Sequence, residues 1–345
     1  MTIYSSLDVL AALKVPEFQK IFLEVMQDIV DRAILSEMIA AIETNDLERL
    51  YKATGFTPAA ISPIIDAVER IYKDAAETTV GGFPTRIRTP EGGLAVFRFD
   101  MRNPRVETDI RQESSNLIAL LTNEARDNIR EILTQGMING SNPRATALDI
   151  IGRIDPVTKK RIGGVIGLTN NQTNWVKNVN RYLETLDKKY LQLDLRDKRF
   201  DSVVKKAIDS GKPLSAADVS RITTAYKNRA LKYRGETIAR TETIQFLNRG
   251  EFMANQELIE EGLVTSNIMT KEWDDTGDKK VRHEHRELAK KYGKNNGIPL
   301  DQPFETLSGI KLMYPGDSSL GAGASSIANC RCRLNVRVNW LERGE

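Results

Sequence analysis

The stretch NCRCRLNVRVNW, residues 329–340, contains the only two cysteines of this 345-residue chain, Cys330 and Cys332. An alternating set begins at the first cysteine: Cys330, Cys332, Leu334, Val336, Val338 and Trp340. Because successive side chains of a β-strand point to opposite faces, this spacing predicts a strand with one face toward a core. Cysteines two apart on an extended segment cannot bridge each other without strain, so we expect two free thiols.

The only two histidines, His283 and His285, lie in the run RHEHREL. Zinc accepts mixed nitrogen, sulfur and oxygen donors in a tetrahedral site. His285, Cys330 and Cys332 are therefore candidate metal ligands. The fourth position would be taken by His283 or Asp278. Structural zinc sites usually carry their cysteines in a C-x2-C turn, so the C-x-C spacing here is a weaker template.

The alternative is a hydrogen-bonded core without metal, and the sequence favours it. Asp278 and Arg282 lie four residues apart, so they can pair on a helical turn. The His285 ring would be held by this pair near Trp273. The two cysteines would then be small buried apolar residues, as free cysteines commonly are. On this interpretation no cofactor is expected.

Catalysis requires more than these residue types. A Cys–His nucleophile pair is conceivable between His285 and either cysteine. However, no helix N-terminus or oxyanion donor is predicted beside the cysteines, and an alternating core strand is a poor place for a nucleophile. The usual histidine–asparagine–histidine arrangement of a metal nuclease is absent downstream of HEH. We therefore expect a non-enzymatic protein without catalytic residues.

Composition and charge are typical of a globular chain with a basic middle part. Apolar residues make up 40% and charged residues 28%, which fits a folded protein and not a disordered one. No apolar run approaches the roughly 18 residues of a bilayer span, and the N-terminal stretch lacks the features of a secretion signal. Residues 177–235 carry 15 Lys/Arg against 7 Asp/Glu, whereas residues 1–80 carry 7 against 13.

The basic part can neutralise phosphates without reading base sequence. The candidate DNA-contacting residues are Lys188, Lys189, Arg196, Lys198, Arg199, Lys205 and Lys206. Interleaved aspartates weaken the positive field, and basic faces without aromatic side chains for base stacking are commonly solvated helix faces. The sequence favours solvated faces, and non-specific DNA contact is the alternative.

Periodicity divides the chain into a helical N-terminal region, a connecting region and a C-terminal domain. These are residues 1–80, 81–164 and 165–340. Apolar residues three and four apart predict short, tightly joined helices over residues 6–80. Thr57 before Pro58 has the features of a helix start, an N-cap followed by proline at the first helical position.

In the connecting region, alternation on both sides of the turn TPEGG predicts a β-hairpin that joins residues 86–88 to residues 95–99. A helix is expected from Val106 to Gln135. The C-terminal domain is predicted to contain basic helices, a long helix that ends at Gly262, and then short strands. The predicted fold class is α+β, mostly helical, with a hairpin insertion and a small C-terminal sheet.

Five short stretches occur in order within residues 165–340. They are GLTNNQ at 167–172, IARTET at 238–243, the run from Trp273 through Asp278 and Arg282 to His285, YPGD at 314–317 and NCRC at 329–332. This series resembles the phage Mu F-like family of minor head (head morphogenesis) proteins of tailed bacteriophages. The resemblance marks these residues as a structural motif: Trp273, Asp278, Arg282, His285, Tyr314, Pro315, Gly316, Asp317, Asn329, Cys330 and Cys332.

The resemblance implies a structural role in the virion. Members of the family are present in few copies per head, associate with the portal vertex, and in some phages leave with the DNA. We therefore expect action in capsid assembly, with the portal protein, capsid or scaffolding protein and genomic DNA as partners. The expected location is the capsid interior or portal vertex, and the host cytoplasm during assembly. The alternatives are a zinc-dependent nuclease or effector and a non-specific DNA-binding assembly factor.

Overall fold

The structure is a computed structural model and describes residues 3–89 and 91–340. Its helices are α1 (Ile3–Arg32), α2 (Leu35–Glu43), α3 (Leu47–Thr54), α4 (Ser62–Val80), α5 (Pro104–Ile138), α6 (Pro143–Ile151), α7 (Asn170–Glu184), α8 (Asp201–Ser210), α9 (Ala216–Glu260), α10 (His283–Tyr292) and α11 (Ala324–Ile327). Its strands are β1 (Ile87–Arg88), β2 (Leu94–Ala95), β3 (Arg153–Ile154), β4 (Arg161–Ile162), β5 (Met269–Asp274), β6 (Ile298–Pro299), β7 (Phe304–Glu305), β8 (Lys311–Leu312) and β9 (Arg333–Val338). The predicted fold class, a mostly helical α+β fold with small antiparallel sheets, is confirmed.

The chain forms two compact units, each assembled from separate stretches of sequence. Unit 1 comprises Met1–Gln19, Ile65–Ser114 and Glu236–Glu345, and unit 2 comprises Lys20–Ile64 and Ser115–Gly235. The contiguous division into residues 1–80, 81–164 and 165–340 stays a prediction, and its boundaries differ from those of the two units. Sequence periodicity marks where elements begin and end, but it carries no information about which elements pack together.

The N-terminal region is helical, as predicted, although α1 is longer than the short helices that we expected. The predicted helix start at Thr57 is wrong, because α4 begins at Ser62. The backbone carbonyl and side-chain hydroxyl of Thr57 both accept from the backbone N–H of Ala60, at 3.0 and 3.2 Å. These bonds close a turn around Pro58 instead of the first turn of the helix.

The predicted hairpin of the connecting region is present, with Ile87 paired to Ala95 and Arg88 paired to Leu94. Pairing ends at two residues per strand instead of continuing to Phe99. The turn includes Pro90, which lies outside the described residues. A second short hairpin, β3–β4, pairs Arg153 with Ile162 and Ile154 with Arg161.

In unit 2, the GLTNNQ stretch carries the N-cap of α7. Thr169 begins α7, and its side-chain oxygen accepts from the backbone N–H of Gln172 at 3.2 Å. The Gln172 side chain accepts in return from the backbone N–H of Thr169 at 3.0 Å, which completes a capping box. Buried apolar residues of α7, α8, α9 and the segments before and after α7 form one core cluster: Val165, Leu168, Val176, Val179, Leu183, Tyr190, Val204, Ile222, Tyr226 and Ala230.

Unit 1 contains the one three-stranded sheet among the described residues, in the order β6–β5–β9 and antiparallel throughout. The central strand β5 pairs Trp273 with Leu334 of β9. The predicted C-terminal strand is therefore confirmed, but it begins at Arg333, so Cys330 and Cys332 precede it. Leu334 is buried, whereas the later apolar positions of the alternation are only half-buried.

Two glycines of α9 provide a matched test of helix packing. A Cβ at Gly250 would lie 2.5 Å from the Tyr72 carbonyl oxygen and 2.9 Å from Ala75 Cβ of α4. A Cβ at Gly235 would instead meet only side-chain atoms, those of Leu23 and Phe22, each at 3.3 Å. We expect Gly250→Ala to lower the free energy of unfolding by about 1–3 kcal/mol, because backbone atoms must move apart.

The control is Gly235→Ala, in which a flexible side chain yields and the helix gains propensity. We expect a change within about 1 kcal/mol of zero for this variant. Urea unfolding followed by circular dichroism measures both. Equal effects of the two substitutions would contradict the close approach of α4 and α9 at Gly250.

Candidate functional site

The two cysteines and one histidine of the candidate metal set converge in unit 1. The Sγ atoms of Cys330 and Cys332 each lie 3.5 Å from Nδ1 of His285. All three residues are only 2% exposed, and their potential ligand atoms lie within 4.8 Å of one another. Both thiols are free. The structure therefore places the predicted residues in one buried cluster.

The cluster forms because α10 begins beside an irregular segment that leads into β9. His285 lies in the first turn of α10. Asn329 adopts a left-handed conformation with φ of 55°, and the backbone N–H of Cys330 donates to the Ile327 carbonyl at 3.1 Å. This turn, and not a strand, directs both sulfurs toward the imidazole.

The predicted Asp278–Arg282 pair is wrong. Asp278 instead binds both guanidinium Nη atoms of Arg331 at 2.5 and 2.7 Å, and Arg282 donates to the Ala328 carbonyl. Arg282 precedes α10 with an extended backbone, so residues 278–282 do not share a helix face. Arg331 holds the pKa of Asp278 well below its ordinary value. The ion pair and the Arg282 hydrogen bond both fasten the segment that carries the cysteines.

Trp273 lies beside the cluster, as predicted. Its ring meets the His285 ring edge to face at 5.2 Å between centroids, and it meets Phe304 in the same manner at 5.3 Å. Trp273 is fully buried. Neither its indole nitrogen nor Nε2 of His285 has a hydrogen-bond partner within residues 3–89 and 91–340. The indole of Trp273 thus covers one side of the His285 imidazole.

The two thiols differ in acidity because the hydrogen bond between them shifts their pKa values in opposite directions. The hydrogen bond from Cys332 lowers the pKa of the Cys330 thiol, and the nearby His285 imidazole acts in the same direction. Cys332 is affected in the opposite sense, since its hydrogen bond to Cys330 and its burial both raise its pKa. The Cys330 thiol is therefore the more acidic of the two.

Neither predicted fourth ligand reaches the cluster. The His283 side chain is 71% exposed and lies 4.0 Å from Glu287 on the outer face of α10. Asp278 is occupied by Arg331. In the part of the chain that the structure describes, the potential ligand set consists of His285 and the two cysteines.

Asn329 connects the NCRC stretch to α9. Its backbone N–H donates to the Thr241 hydroxyl at 2.9 Å, and its side-chain oxygen accepts from Arg240 at 3.3 Å. Arg240 is positioned by Glu236, one turn earlier on the helix, at 2.8 Å. These contacts fasten the IARTET stretch of α9 to the NCRC stretch.

The YPGD stretch forms a turn, in which the Asp317 backbone N–H donates to the Tyr314 carbonyl at 3.1 Å. Gly316 has φ of 91°, a conformation that disfavours other residues. Asp317 is fully buried and accepts from the backbone N–H groups of Met313 and Ser319 at 2.7 and 2.8 Å. The Pro315 carbonyl accepts from the Asn248 side chain of α9 at 2.8 Å. The turn is therefore fastened to the same helix as NCRC.

The sequence analysis missed Arg249, which lies at the centre of a buried ionic network. Its guanidinium binds both Asp109 carboxylate oxygens at 2.5 and 2.6 Å and lies 3.0 Å from Glu113. Its Cζ atom is 5.9 Å from the centroid of the Tyr314 ring. In the sequence, Arg249 is a single arginine within a helical pattern. Such a pattern cannot identify an ion-pair partner that lies 140 residues away.

Lys271 was also missed. Its side chain is fully buried in β5, and its ammonium donates to the Met313 carbonyl at 2.8 Å. The ammonium also lies over the rings of Phe304 and Phe252, at 4.9 and 5.1 Å from their centroids. Burial lowers its pKa to about 7. A lysine of this acidity can act as a nucleophile, but this one has no solvent exposure and fastens the YPGD turn to the sheet.

Glu251 gives unit 1 a pH-dependent stability. It is 5% exposed, and its carboxylate accepts only a long bond, 3.4 Å, from the Val336 N–H. Burial raises its pKa to about 8 from 4.5. Since the native carboxyl keeps its proton between these values, the free energy of unfolding should fall by up to about 1.4 kcal/mol per pH unit across that window.

The test is to compare the wild type with Glu251→Gln from pH 5 to pH 8 by urea unfolding. The Glu251 contribution is complete below pH 4.5 and is lost as pH rises through about 8. The variant keeps a neutral side chain of the same shape, so we expect a flatter pH profile and higher relative stability at pH 8. Parallel profiles would contradict the raised pKa.

The basic part of unit 2 divides into paired and solvent-facing side chains. Arg196 binds both oxygens of Asp201 at 3.1 and 3.2 Å, and Arg199 binds Asp197 at 2.7 Å. The lysines among the seven DNA-contact candidates are exposed: Lys188, Lys189, Lys198, Lys205 and Lys206. The two arginines are therefore partly neutralised, and the lysines carry most of the available charge.

The same unit contains an aromatic groove that the sequence analysis did not foresee. The groove has a volume of about 330 Å³ and is lined by Trp175, Tyr182, Tyr226 and Tyr233. Trp175 and Tyr233 are 38% and 42% exposed, and their rings lie 6.4 Å apart. Helical spacing places Trp175 and Tyr182 on one face of α7, but only folding places them beside α9.

Comparisons with protein-family models, curated proteins and solved structures found no match for this chain. None of the described helices is long and apolar enough to cross a membrane. The functional interpretation therefore depends on the residues and contacts described above.

Proposed function

We propose that this protein is a non-enzymatic minor head protein of a tailed bacteriophage, which acts in capsid assembly at the portal vertex. The observation that carries the proposal is the mutual attachment of the motif stretches in unit 1. IARTET is bonded to NCRC through Asn329, and NCRC meets the RHEH helix at His285. Trp273 packs on His285 from the other side.

The character of these contacts favours a docking module over an enzyme. The motif side chains of Cys330, Cys332, His285 and Trp273 are buried and contact one another. The Asp317 carboxylate accepts hydrogen bonds from backbone N–H groups of its own turn. Residues that a family keeps for architecture are expected to show this pattern, whereas catalytic residues must reach a substrate.

The GLTNNQ stretch belongs to unit 2, where it caps α7. Its role in the proposal is therefore local, since the capping box defines where this helix begins. The other four stretches lie in unit 1. We assign the family-like docking role to unit 1, with the portal protein and capsid or scaffolding protein as its partners.

Protein inventories of purified virions and of DNA-emptied heads, measured by mass spectrometry, test the proposal. We expect the chain in virions at low copy number and expect it to co-purify with the portal protein of the same phage. Loss from DNA-emptied heads would indicate that it leaves with the genome. Absence from virions together with no portal association would refute the proposal. Zinc-dependent nuclease activity of the purified protein would favour the effector alternative.

We also propose non-specific DNA contact by unit 2 as a second function. The specific observation is the aromatic groove of unit 2. It supplies a surface for base stacking, which the basic segment of the sequence did not predict. Proteins that bind single strands without sequence preference combine positive charge with aromatic side chains on which bases stack. Lys188, Lys189 and Trp175 provide both features within one unit.

Retention of single-stranded DNA measured against salt concentration tests this second function. We expect affinity to fall with rising salt, with a logarithmic slope of about −0.7 per neutralised phosphate. Lys188→Glu with Lys189→Glu should weaken binding and reduce the slope. Trp175→Ala should remove about 1–3 kcal/mol of binding free energy without changing the slope, because stacking is not ionic.

The control is Lys290→Glu, which changes an exposed lysine of unit 1. This variant should bind DNA as the wild type does. No retention at about 50 mM salt, or retention that ignores salt, would end the DNA proposal. Neither result would affect the portal experiment.

A further inference from the structure

We propose that His285, Cys330 and Cys332 bind one zinc ion as a buried three-residue site, with a water molecule as the fourth ligand. The site would cross-link α10 to the segment that enters β9. This inference does not depend on the proposed function, because it follows from the geometry of three side chains in unit 1.

The interatomic distances agree with zinc coordination. A tetrahedral ion with zinc–sulfur bonds of about 2.3 Å and zinc–nitrogen bonds of about 2.0 Å separates sulfur from nitrogen by about 3.5 Å. Both Sγ atoms lie 3.5 Å from His285 Nδ1. Both sulfur–nitrogen distances thus already match those around a tetrahedral ion, and the three potential ligand atoms lie within 4.8 Å of one another.

Hydrogen bonding alone accounts for only part of this arrangement. An imidazole nitrogen carries either one lone pair or one proton, so Nδ1 forms one good hydrogen bond with sulfur. Two sulfurs nevertheless approach this nitrogen equally closely. A metal ion between the three atoms satisfies all of them at once, because each donates a separate electron pair to the ion.

The chemistry and enclosure of the cluster also suit zinc. Two thiols and one imidazole are the soft and borderline donors that zinc prefers over carboxylates and carbonyls. The cluster is buried, and the ion pair of Arg331 with Asp278 lies next to the cysteines in sequence and closes their segment. The backbone turn at Asn329, with φ of 55°, already presents both sulfurs to the same side.

The expected consequence is metal-dependent stability. An ion that binds the native state but has no assembled site in the unfolded chain raises the free energy of unfolding. The stabilised region should be α10 and the C-terminal residues that lead into β9. A chelator should therefore lower the unfolding midpoint and expose the two thiols to reagents.

The test uses the full-length protein loaded with zinc or with cobalt as a spectroscopic substitute. We expect about one equivalent of metal per chain. The cobalt form should show the visible bands of a tetrahedral ion and the charge-transfer absorption of thiolate ligands. Cys330→Ser, Cys332→Ser and His285→Ala should each lose the metal or change this spectrum.

The matched control is His283→Ala, since His283 lies two residues away on the same helix but faces solvent. This variant should bind metal as tightly as the wild type. Failure of the wild-type protein to bind zinc or cobalt overturns the proposal without any variant. Full metal binding by Cys332→Ser, or loss of binding by His283→Ala, also overturns it. Folding of each variant is checked by circular dichroism.

Discussion

Replacing Arg249 with methionine should lower the free energy of unfolding of the protein by about 3–5 kcal/mol, because the change strands buried carboxylates without a counterion. Arg249 is 6% exposed and binds Asp109 through two nitrogens, with Glu113 at 3.0 Å. Methionine fills a similar volume, so packing loss contributes little. The expected loss therefore measures the uncompensated charge.

The control is Lys73→Met, which removes an exposed partner of Glu77 one turn along α4. Exposed pairs of this kind contribute about 0–1 kcal/mol, so this variant should unfold close to the wild-type midpoint. A second variant, Arg249→Met with Asp109→Asn, should recover part of the stability because one stranded charge is gone. Equal midpoints for Arg249→Met and Lys73→Met would contradict the buried network.

Replacing Trp273 with alanine should lower the free energy of unfolding by about 3–5 kcal/mol, since it leaves a large cavity at the centre of the sheet. Trp273 is fully buried on β5 and packs edge to face against His285 and Phe304. Removal of the indole takes an edge-to-face contact from each of these two rings. Urea unfolding followed by circular dichroism measures the loss.

Trp175→Ala is the matched control because it removes the same indole from a partly exposed position, 38% accessible, in unit 2. We expect a loss below about 1.5 kcal/mol for this variant, since much of the side chain already faces water. The free energy of unfolding of Trp273→Phe should lie between those of the wild type and Trp273→Ala. A loss for Trp175→Ala that matches Trp273→Ala would contradict the assigned burial.

Local elements were predictable wherever a short-range physical rule determines them. The capping box at Thr169 needs only the residue three positions later, and the sequence displays it. The YPGD turn follows from the backbone preferences of Pro315 and Gly316. Thr57 shows the limit of such rules. Its hydroxyl oxygen accepts from the Ala60 N–H within a turn and does not cap a helix.

The sequence alone also identified the residues of the candidate site, since cysteine and histidine occur nowhere else in the chain. It did not determine their partners. The i, i+4 rule suggested an Asp278–Arg282 pair, but it holds only on a helix, and here residues 278–281 form a turn that is followed by an extended Arg282. Arg331 takes the carboxylate because the chain returns there 53 residues later.

Periodicity and turn chemistry thus determined the helices, the hairpin, the terminal strand and the identity of the sulfur and imidazole groups. Tertiary structure alone decided that Arg249 meets Asp109, that two thiols converge on one nitrogen of His285, and that aromatic rings of α7 and α9 form a groove. The physical reason is the distance along the chain over which each interaction acts. Backbone preferences act over a few residues, whereas burial and ion pairing depend on which distant segments share the interior.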